Sequence, residues 1–422
     1  MLQVSYLRDN RDLVLQGLAK RNFKQSSLVD DAIRHDDDRK KYQFDLDRNL
    51  AEINRISKEI GMFMKEGKKE EAEAAKVQTA QFKENVQTLQ QQLKDSEAKL
   101  QEILYLIPNI PFEKVKAGTT ADDNEIIFQS HDVHGLGEGA IPHWELAKKY
   151  NLIDFELGVK IAGAGFPVYL GKGARLQRAL VQFFLDRNVE AGYIEVNPPH
   201  AVNEASGYGT GQLPDKEGQM YFVNEDNLYL IPTAEVPVTN MYRDVIIDEA
   251  DLPVKNTAFS QCYRREAGSY GAHVRGLNRL HQFEKVEIVR LEKPENSYAA
   301  LEEMVEHVKG LLTDLELPFR ILRLCGGDMG FTSAMTYDFE VWSAAQEKWL
   351  EVSSVSNFET FQANRLKCRF KGAGKTQLVH TLNGSALALP RIMAALLENN
   401  QTTEGIKLPA KVAEYARFDL IG

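Results

Sequence analysis

The chain has 422 residues, 43% of them hydrophobic, and a formal net charge of −10. That length supports two domains or one large domain with an appendage, and no run of eighteen apolar residues offers a membrane span. The acidic balance argues on its face against nucleic acid, DNA included, although a local basic surface can coexist with an acidic total.

The opening residues, MLQVSYLRDNRDLVLQG, carry charges where a signal peptide needs an apolar stretch, so a cytoplasmic location is expected. Leu46, Leu50, Ile53, Ile56, Ile60 and Phe63 then recur at helical spacing. From Ala72, the series Ala75, Thr79, Phe82, Val86, Leu89, Leu93, Ser96, Leu100 and Ile103 alternates steps of three and four, which is a heptad seam. A short charged link containing Gly67 joins the two segments, so a helical hairpin is predicted. Its second helix, about 32 residues at about 1.5 Å each, would be roughly 50 Å long. The spacing suits a dimerising coiled coil and a partner-binding arm equally. Pro108, Pro111 and Gly118 end the helix, and the polar run after them reads as a linker and domain boundary.

Beyond it, a helix is predicted over 175–186, followed by strands at YIEVNPP, YLIPTAEVPV, AFSQCYRRE, HQFEKVEIV, FRILRL, YDFEVWS and WLEVSSVSN. Many strands without regular intervening helices point to an α+β domain built on an antiparallel sheet. On the strand ending YRRE, alternation puts Arg264 and Glu266 on one face; on the next, Phe283 and Glu287 share one. Paired, these strands would offer a cation, two carboxylates and a ring, which suits a nucleotide and equally suits a solvated hairpin with cross-strand ion pairs. NGSALALPRIMAALLEN, 383–399, reads as a buried helix, and Arg391 inside it needs an anion.

Three features are set aside. FKGAGKTQ has Arg369 where a P-loop needs its first glycine. GYGTGQLPDKEG, 207–218, reads as a flexible loop. Cys262, Cys325 and Cys368 are widely spaced and form no CxxC pair, so neither disulfides nor a structural zinc are expected.

Together these segments resemble the class II aminoacyl-tRNA synthetases, and within them the bacterial-type seryl-tRNA synthetases, over essentially the whole chain. AGYIEVNPP is similar to motif 1, with Pro199 as its proline; YRREAG through HQFEKVE to motif 2; and NGSALALPRIMAALLEN to motif 3. PTAE at 232–235, EVSSVSNF at 351–358, and the hairpin followed by IPNIP resemble the seryl family in particular. The resemblance implies an antiparallel sheet flanked by helices, with a coiled-coil hairpin arm at about 35–103 in an N-terminal tRNA-binding domain (1–110) and a catalytic domain over 111–422. It implies that ATP and L-serine are joined as seryl-adenylate, with transfer to tRNA(Ser) and, as a further acceptor, tRNA(Sec).

By the same resemblance, Arg264 contacts the α-phosphate, Glu266 reads the adenine amine, Phe283 stacks on the base and Arg391 holds the terminal phosphates. Arg265, Val352 and Ser353 complete the expected ATP contacts, with no catalytic role for Arg265. Glu351 and Ser354 would hold Mg²⁺ with ATP, which requires a bulge or strand end, because strict alternation puts them on opposite faces. Thr233, Ala234, Glu235, Glu287, Asn383 and Ser385 would line the serine pocket, and motif 1 would build a homodimer interface. The glycine-rich stretch from Gly268 to Gly276 reads as a movable flap. Two departures stand out: Gly165 in GAGF replaces an arginine common in the family, and GAHVRGL lacks an acidic residue and threonine. Both are expected to alter loop contacts and not the chemistry. Two other readings stay open, a relative that loads a carrier instead of tRNA and a non-enzymatic coiled-coil adaptor; the full-length arm argues against the first, the joint presence of Arg264, Glu266, Phe283, Glu351 and Arg391 against the second.

Overall fold

The computed structural model describes residues 1–130, 133, 136, 139–215, 218–267, 275–372 and 374–422. The chain divides into two compact units, one of Met1–Ala19 with Phe23–Pro108 and one of Lys20–Asn22 with Asn109–Gly422. Among the described residues no helix is long and apolar enough to cross a membrane.

In the first unit, α1 (Leu28–Lys65) and α2 (Lys69–Leu106) form an antiparallel hairpin turned at Gly67, whose φ of 77° suits glycine. All ten positions of the α2 seam are buried or half-buried. On α1 the seam departs from expectation at one point. Leu50 is 40% exposed and Asn49 is half-buried in its stead, because steps of three and four run unbroken only through Leu46, Asn49, Ile53, Ile56, Ile60 and Phe63. Asp36, buried among Arg8, Arg39 and Lys40 at 2.7–3.1 Å, ties the short helix Val4–Asp9 to α1.

The residues after α2 are no free linker. Asn109 is buried in the second unit and donates to the carbonyls of Thr332 and Phe358 at 2.9 Å each, and Val115 joins its core. That unit is built on an eight-stranded sheet. In chain order its strands are β1 (Glu125–Gln129), β2 (Ile194–Glu195), β3 (Val254–Tyr263), β4 (Gln282–Glu292), β5 (Phe319–Arg323), β6 (Met335–Ser343), β7 (Lys348–Asn357) and β8 (His380–Ala388). They lie in the order β1-β5-β6-β7-β8-β4-β3-β2, antiparallel throughout except for the short β2, which runs parallel to β3. Helices α3 (Gly171–Glu190), α4 (Ser297–Asp314) and α5 (Leu389–Asn399) contribute Phe183, Leu301, Met304 and Ile392 to one core. Val286 and Ile288 of β4 join that core, while Val289 and Leu291 pack into a second one on the opposite face. Between Phe283 and Val289 that opposite face presents Lys285 and Glu287.

Four expectations are corrected. YIEVNPP pairs over only Ile194–Glu195. YLIPTAEVPV is strand only at Leu228–Leu230, and Glu235–Asn240 is a helix that tolerates Pro237 because its missing N–H falls in the first turn. Motif 3 is strand up to Ala388 and helix only from Leu389, with Pro390 again in the first turn. The glycines of GYGTG lie in the helix Glu204–Thr210 and its left-handed cap Gly211; a Cβ on Gly207 would crowd Leu213, and one on Gly209 would crowd Asn240 and Leu366. FKGAGKTQ pairs Arg369–Lys371 with Thr376–Leu378 as a hairpin.

Candidate active site

β3 and β4 pair in register from Tyr263↔Gln282 to Val254↔Leu291, with Phe283 opposite Cys262. Arg264 is the first residue past β3. Its N–H donates to the His281 carbonyl (2.9 Å) and its Nε to the Pro232 carbonyl (3.4 Å), and its guanidinium lies 5.3 Å from the Phe283 ring centroid. It is half-buried, and no carboxylate pairs with it among the described residues. The reading that strand alternation aligns Arg264 with Glu266 is corrected: both lie beyond the strand, and Glu266 has φ 47°. Its carboxylate faces the return limb, where Arg279 pairs with it. Arg265 donates its N–H to the Gln219 carbonyl at 2.8 Å and exposes its side chain. Of the expected flap, residues 268–274 lie outside the described residues, whereas Arg275 and Gly276 are described.

Arg391 is half-buried at the start of α5, not enclosed in an apolar helix as the sequence suggested. Its Nε donates to the Asn278 carbonyl (3.0 Å) and its Nη1 to the Glu351 carbonyl (2.7 Å), and among the described residues no carboxylate neutralises it. Two guanidinium groups thus have carbonyl partners and unspent positive charge, the condition that favours an anion.

The bulge required at Glu351 and Ser354 is present. β7 skips register against β6, with Phe339↔Ser353 followed by Glu340↔Glu351. Leu350, Val352 and Val355 all enter the core, an odd step that only the bulge allows, and Glu351 and Ser354 keep exposure. Val352 and Ser353 are both buried, Ser353 Oγ donating to the Ser385 carbonyl at 2.6 Å, so only their backbone is available to a nucleotide. Ser354 Oγ meets Asp338, whose carboxyl is raised well above the ordinary range by burial and then by Glu351. Two mutually repelling carboxylates and a hydroxyl form an oxygen donor set that fits a hard divalent cation such as Mg²⁺.

The residues expected around serine are all buried. Thr233 Oγ1 accepts the N–H of Glu235 at 3.2 Å, at the start of the helix Glu235–Asn240 that Ala234 leads into. Burial pushes the Glu235 carboxyl up to about 7, the nearby Glu287 carboxylate adding to the rise, and Gln362 Nε2 donates to it at 2.7 Å. Glu287 pairs with Lys285 Nζ at 2.6 Å and accepts from Ser385 Oγ at 3.5 Å, across the register Glu287↔Ser385. Asn383 Nδ2 is buried without a hydrogen-bond partner of ordinary geometry, close enough to Glu235 to lower its carboxyl's pKa. An excess of carboxylate around an unfilled donor is the setting for a small ligand carrying both an ammonium and an acceptor.

Two residues of this cluster escaped sequence reasoning. Lys285 stands between Phe283 and Glu287 on the same face of FEKVE, so alternation could have found it. Asp338 is legible only through its cross-strand partner Ser354. The departure at Gly165 also acquires a reason: its φ is +83°, a Cβ there would run into the His281 ring, and its carbonyl accepts the His281 N–H at 2.9 Å. Because the His281 carbonyl in turn holds the Arg264 N–H, the departure sits one contact from the site.

Residues 221–400 match the family description "tRNA synthetase class II core domain (G, H, P, S and T)", and residues 1–111 match "Seryl-tRNA synthetase N-terminal domain". The serine–tRNA ligase of Salinibacter ruber is 49% identical over 425 residues, covering 100% of this chain and 99% of that protein. That of Chlorobaculum parvum is 45% identical with full coverage of both. The crystal structure of seryl-tRNA synthetase from Pyrococcus horikoshii complexed with ATP superposes with a TM-score of 0.93 at 31% identity, covering 100% of this chain and 99% of that one. With the sheet, the hairpin and the buried polar cluster already in place, these likenesses settle the family: the chain belongs to the seryl-tRNA synthetases, ligases of class II.

Proposed function

We propose that this site activates L-serine with ATP and passes the seryl group to tRNA. The serine carboxylate attacks the α-phosphorus of ATP, forming seryl-adenylate and releasing pyrophosphate. The 3′-hydroxyl of the terminal adenosine then attacks the seryl carbonyl and AMP leaves. No side-chain nucleophile is needed, because the attacking carboxylate is already ionised; the protein's task is in-line positioning and neutralising charge at phosphorus. The observation that carries this reading is the pair of half-buried guanidinium groups, Arg264 and Arg391, whose described partners are carbonyls. Arg264 serves the α-phosphate, Arg391 the terminal phosphates, Phe283 the base and Glu266 the adenine amine. Glu351 and Ser354, with Asp338 beside them, are the residues to hold Mg²⁺, which when bound supplies charge neutralisation on the phosphates.

Serine recognition rests on Glu287, Glu235, Thr233, Asn383 and Ser385. A buried partner for the serine hydroxyl rejects alanine by being left unpaired, and threonine is excluded by fit. The α1–α2 hairpin serves the tRNA: it is lined with Lys and Gln and has few aromatic side chains, which suits backbone and shape contacts with RNA. The acceptor is tRNA(Ser), and the same reading extends to tRNA(Sec). A homodimer through the motif 1 segment is supported by the exposure of Ile194 (66%) and Val189 (46%) on and beside the edge strand β2. The reaction's place is the cytoplasm.

ATP–pyrophosphate exchange across a panel of amino acids tests the reading. Exchange should depend on serine, with alanine and threonine at least about 100-fold weaker in kcat/KM. Glu287→Ala should abolish that selectivity along with most of the rate, and wild-type serine activation in that variant would refute the pocket.

A further inference from the structure

The limb that returns from residue 275 to β4 is clipped to α5 twice. Arg391 Nε donates to the Asn278 carbonyl at 3.0 Å. The second clip passes through a fully buried histidine: the Leu277 N–H donates to His143 Nε2 at 2.8 Å, and His143 Nδ1 meets Glu398 Oε1 at 2.7 Å. Glu398 is also fully buried and its acceptors are occupied. Oε1 takes the His143 N–H (3.0 Å) and Gln346 Nε2 (2.9 Å), while Oε2 takes Ser343 Oγ. Acceptance at Nε2 and donation at Nδ1 fix one neutral tautomer of His143, with the hydrogen on Nδ1. Gly276 makes the approach possible, since a Cβ there would collide with His143 Nε2. One residue past Leu277 stands the carbonyl that holds Arg391, and two residues past it stands Arg279, which pairs with Glu266.

We infer that His143 is a positioning residue of the ATP site: through the Leu277 N–H it sets the return limb and thereby the orientation of Arg391 and Glu266. His143 touches no substrate itself. The inference rests on the ATP reading above, and one measurement below does not depend on that reading. His143→Gln keeps an acceptor at the place of Nε2, whereas His143→Asn keeps a donor toward Glu398 and loses that acceptor.

In serine-dependent exchange by the full chain, His143→Asn should raise the ATP KM about tenfold or more and leave the serine KM within about twofold, with His143→Gln within about threefold of wild type. In the free protein, amide hydrogen exchange at Leu277 should lose at least about tenfold protection in His143→Asn and little in His143→Gln. If the wild type shows no serine-dependent exchange, the ATP reading fails while the amide measurement still judges the clip. Unchanged Leu277 protection in His143→Asn, an unchanged ATP KM, or equal losses in Gln and Asn would overturn the proposal. Should His143→Asn not fold, Gly276→Ala, which crowds an intact His143, must raise the ATP KM, and a wild-type value there would overturn it equally.

Discussion

Along α2 from Ala72 to Leu100 a buried or half-buried position recurs every third or fourth residue between exposed ones, whereas eight of the nine residues of β8 and the last eight of β4 are buried. The hairpin therefore buries one narrow stripe, and its long polar faces remain available to a partner. The strands at the centre of the body are covered on both sides, so any charge there is held away from water and must find a partner or a ligand. The buried group Lys285, Glu287 and Glu235 contrasts with the hairpin, whose one buried charge, Asp36 near the base of α1, is already met by Arg8, Arg39 and Lys40, and where Thr79 and Ser96, the only buried polar side chains of α2, both donate to carbonyls. One region is built to be touched along its length. The other is built to make a few buried charges decisive.

That contrast can be broken most strongly by removing the hairpin. Replacing roughly residues 40–92 with a short glycine linker is feasible, because Ser96 Oγ already reaches the His35 carbonyl at 3.0 Å. Charging of tRNA should fall beyond detection while serine-dependent pyrophosphate exchange stays within about threefold of wild type. Charging that survives would return the hairpin to a structural role. Next in size, Arg264→Ala should lower exchange by roughly 100- to 1000-fold, the usual loss for one preorganised donor. Its melting temperature should stay within a few degrees of wild type, since its described contacts are carbonyls and the Phe283 ring of the site.

Packing gives a third contrast. Phe339→Ala, in the centre of the body's core, should cost about 3–5 kcal/mol in denaturant unfolding. Ile56→Ala, on a seam with water on either side, should cost about 2 kcal/mol and raise hydrogen exchange only within α1 and α2.

The smallest effect is a pH dependence. Glu235 titrates near 7 in the folded chain against 4.5 ordinarily, so its neutral form is the one the fold favours. Its contribution is complete below about pH 4.5 and is lost as pH rises through about 7, amounting to about 3 kcal/mol at most. Glu235→Gln should flatten that part of the stability curve. Conversely, the serine ammonium needs an ionised carboxylate, so the serine KM of the wild type should rise as pH falls below about 7. A KM flat from pH 6 to 8 would remove Glu235 from the ammonium site.

Much of this was legible in the residues. The seam of α2 and the strands carrying Phe283, Glu287 and Glu351 follow from periodicity, because a period of 3.5 or 2 is imposed by local backbone geometry; the need for a bulge before Ser354 follows only from the family resemblance, which gives Glu351 and Ser354 a shared role that alternation forbids. Where the structure departs from those periods, the position of a proline or glycine decides: EVPV is helical with Pro237 in the first turn, and GYGT is a helix whose glycines serve close packing. On the hairpin seam, register places Asn49 inward and leaves the more hydrophobic Leu50 exposed.

What the sequence determined by itself was the kind of surface each segment presents and, through its dispersed motifs, the family. Which charges meet was decided only in three dimensions. Arg391 is separated by 127 positions from Arg264, and Glu398 by 255 from His143. Nothing local links such residues, since pairing across the sheet and the docking of α5 depend on the register of strands far apart in the chain. Local sequence sets the propensity to form each element, and burial of one element against another fixes the partners of every polar group caught between them.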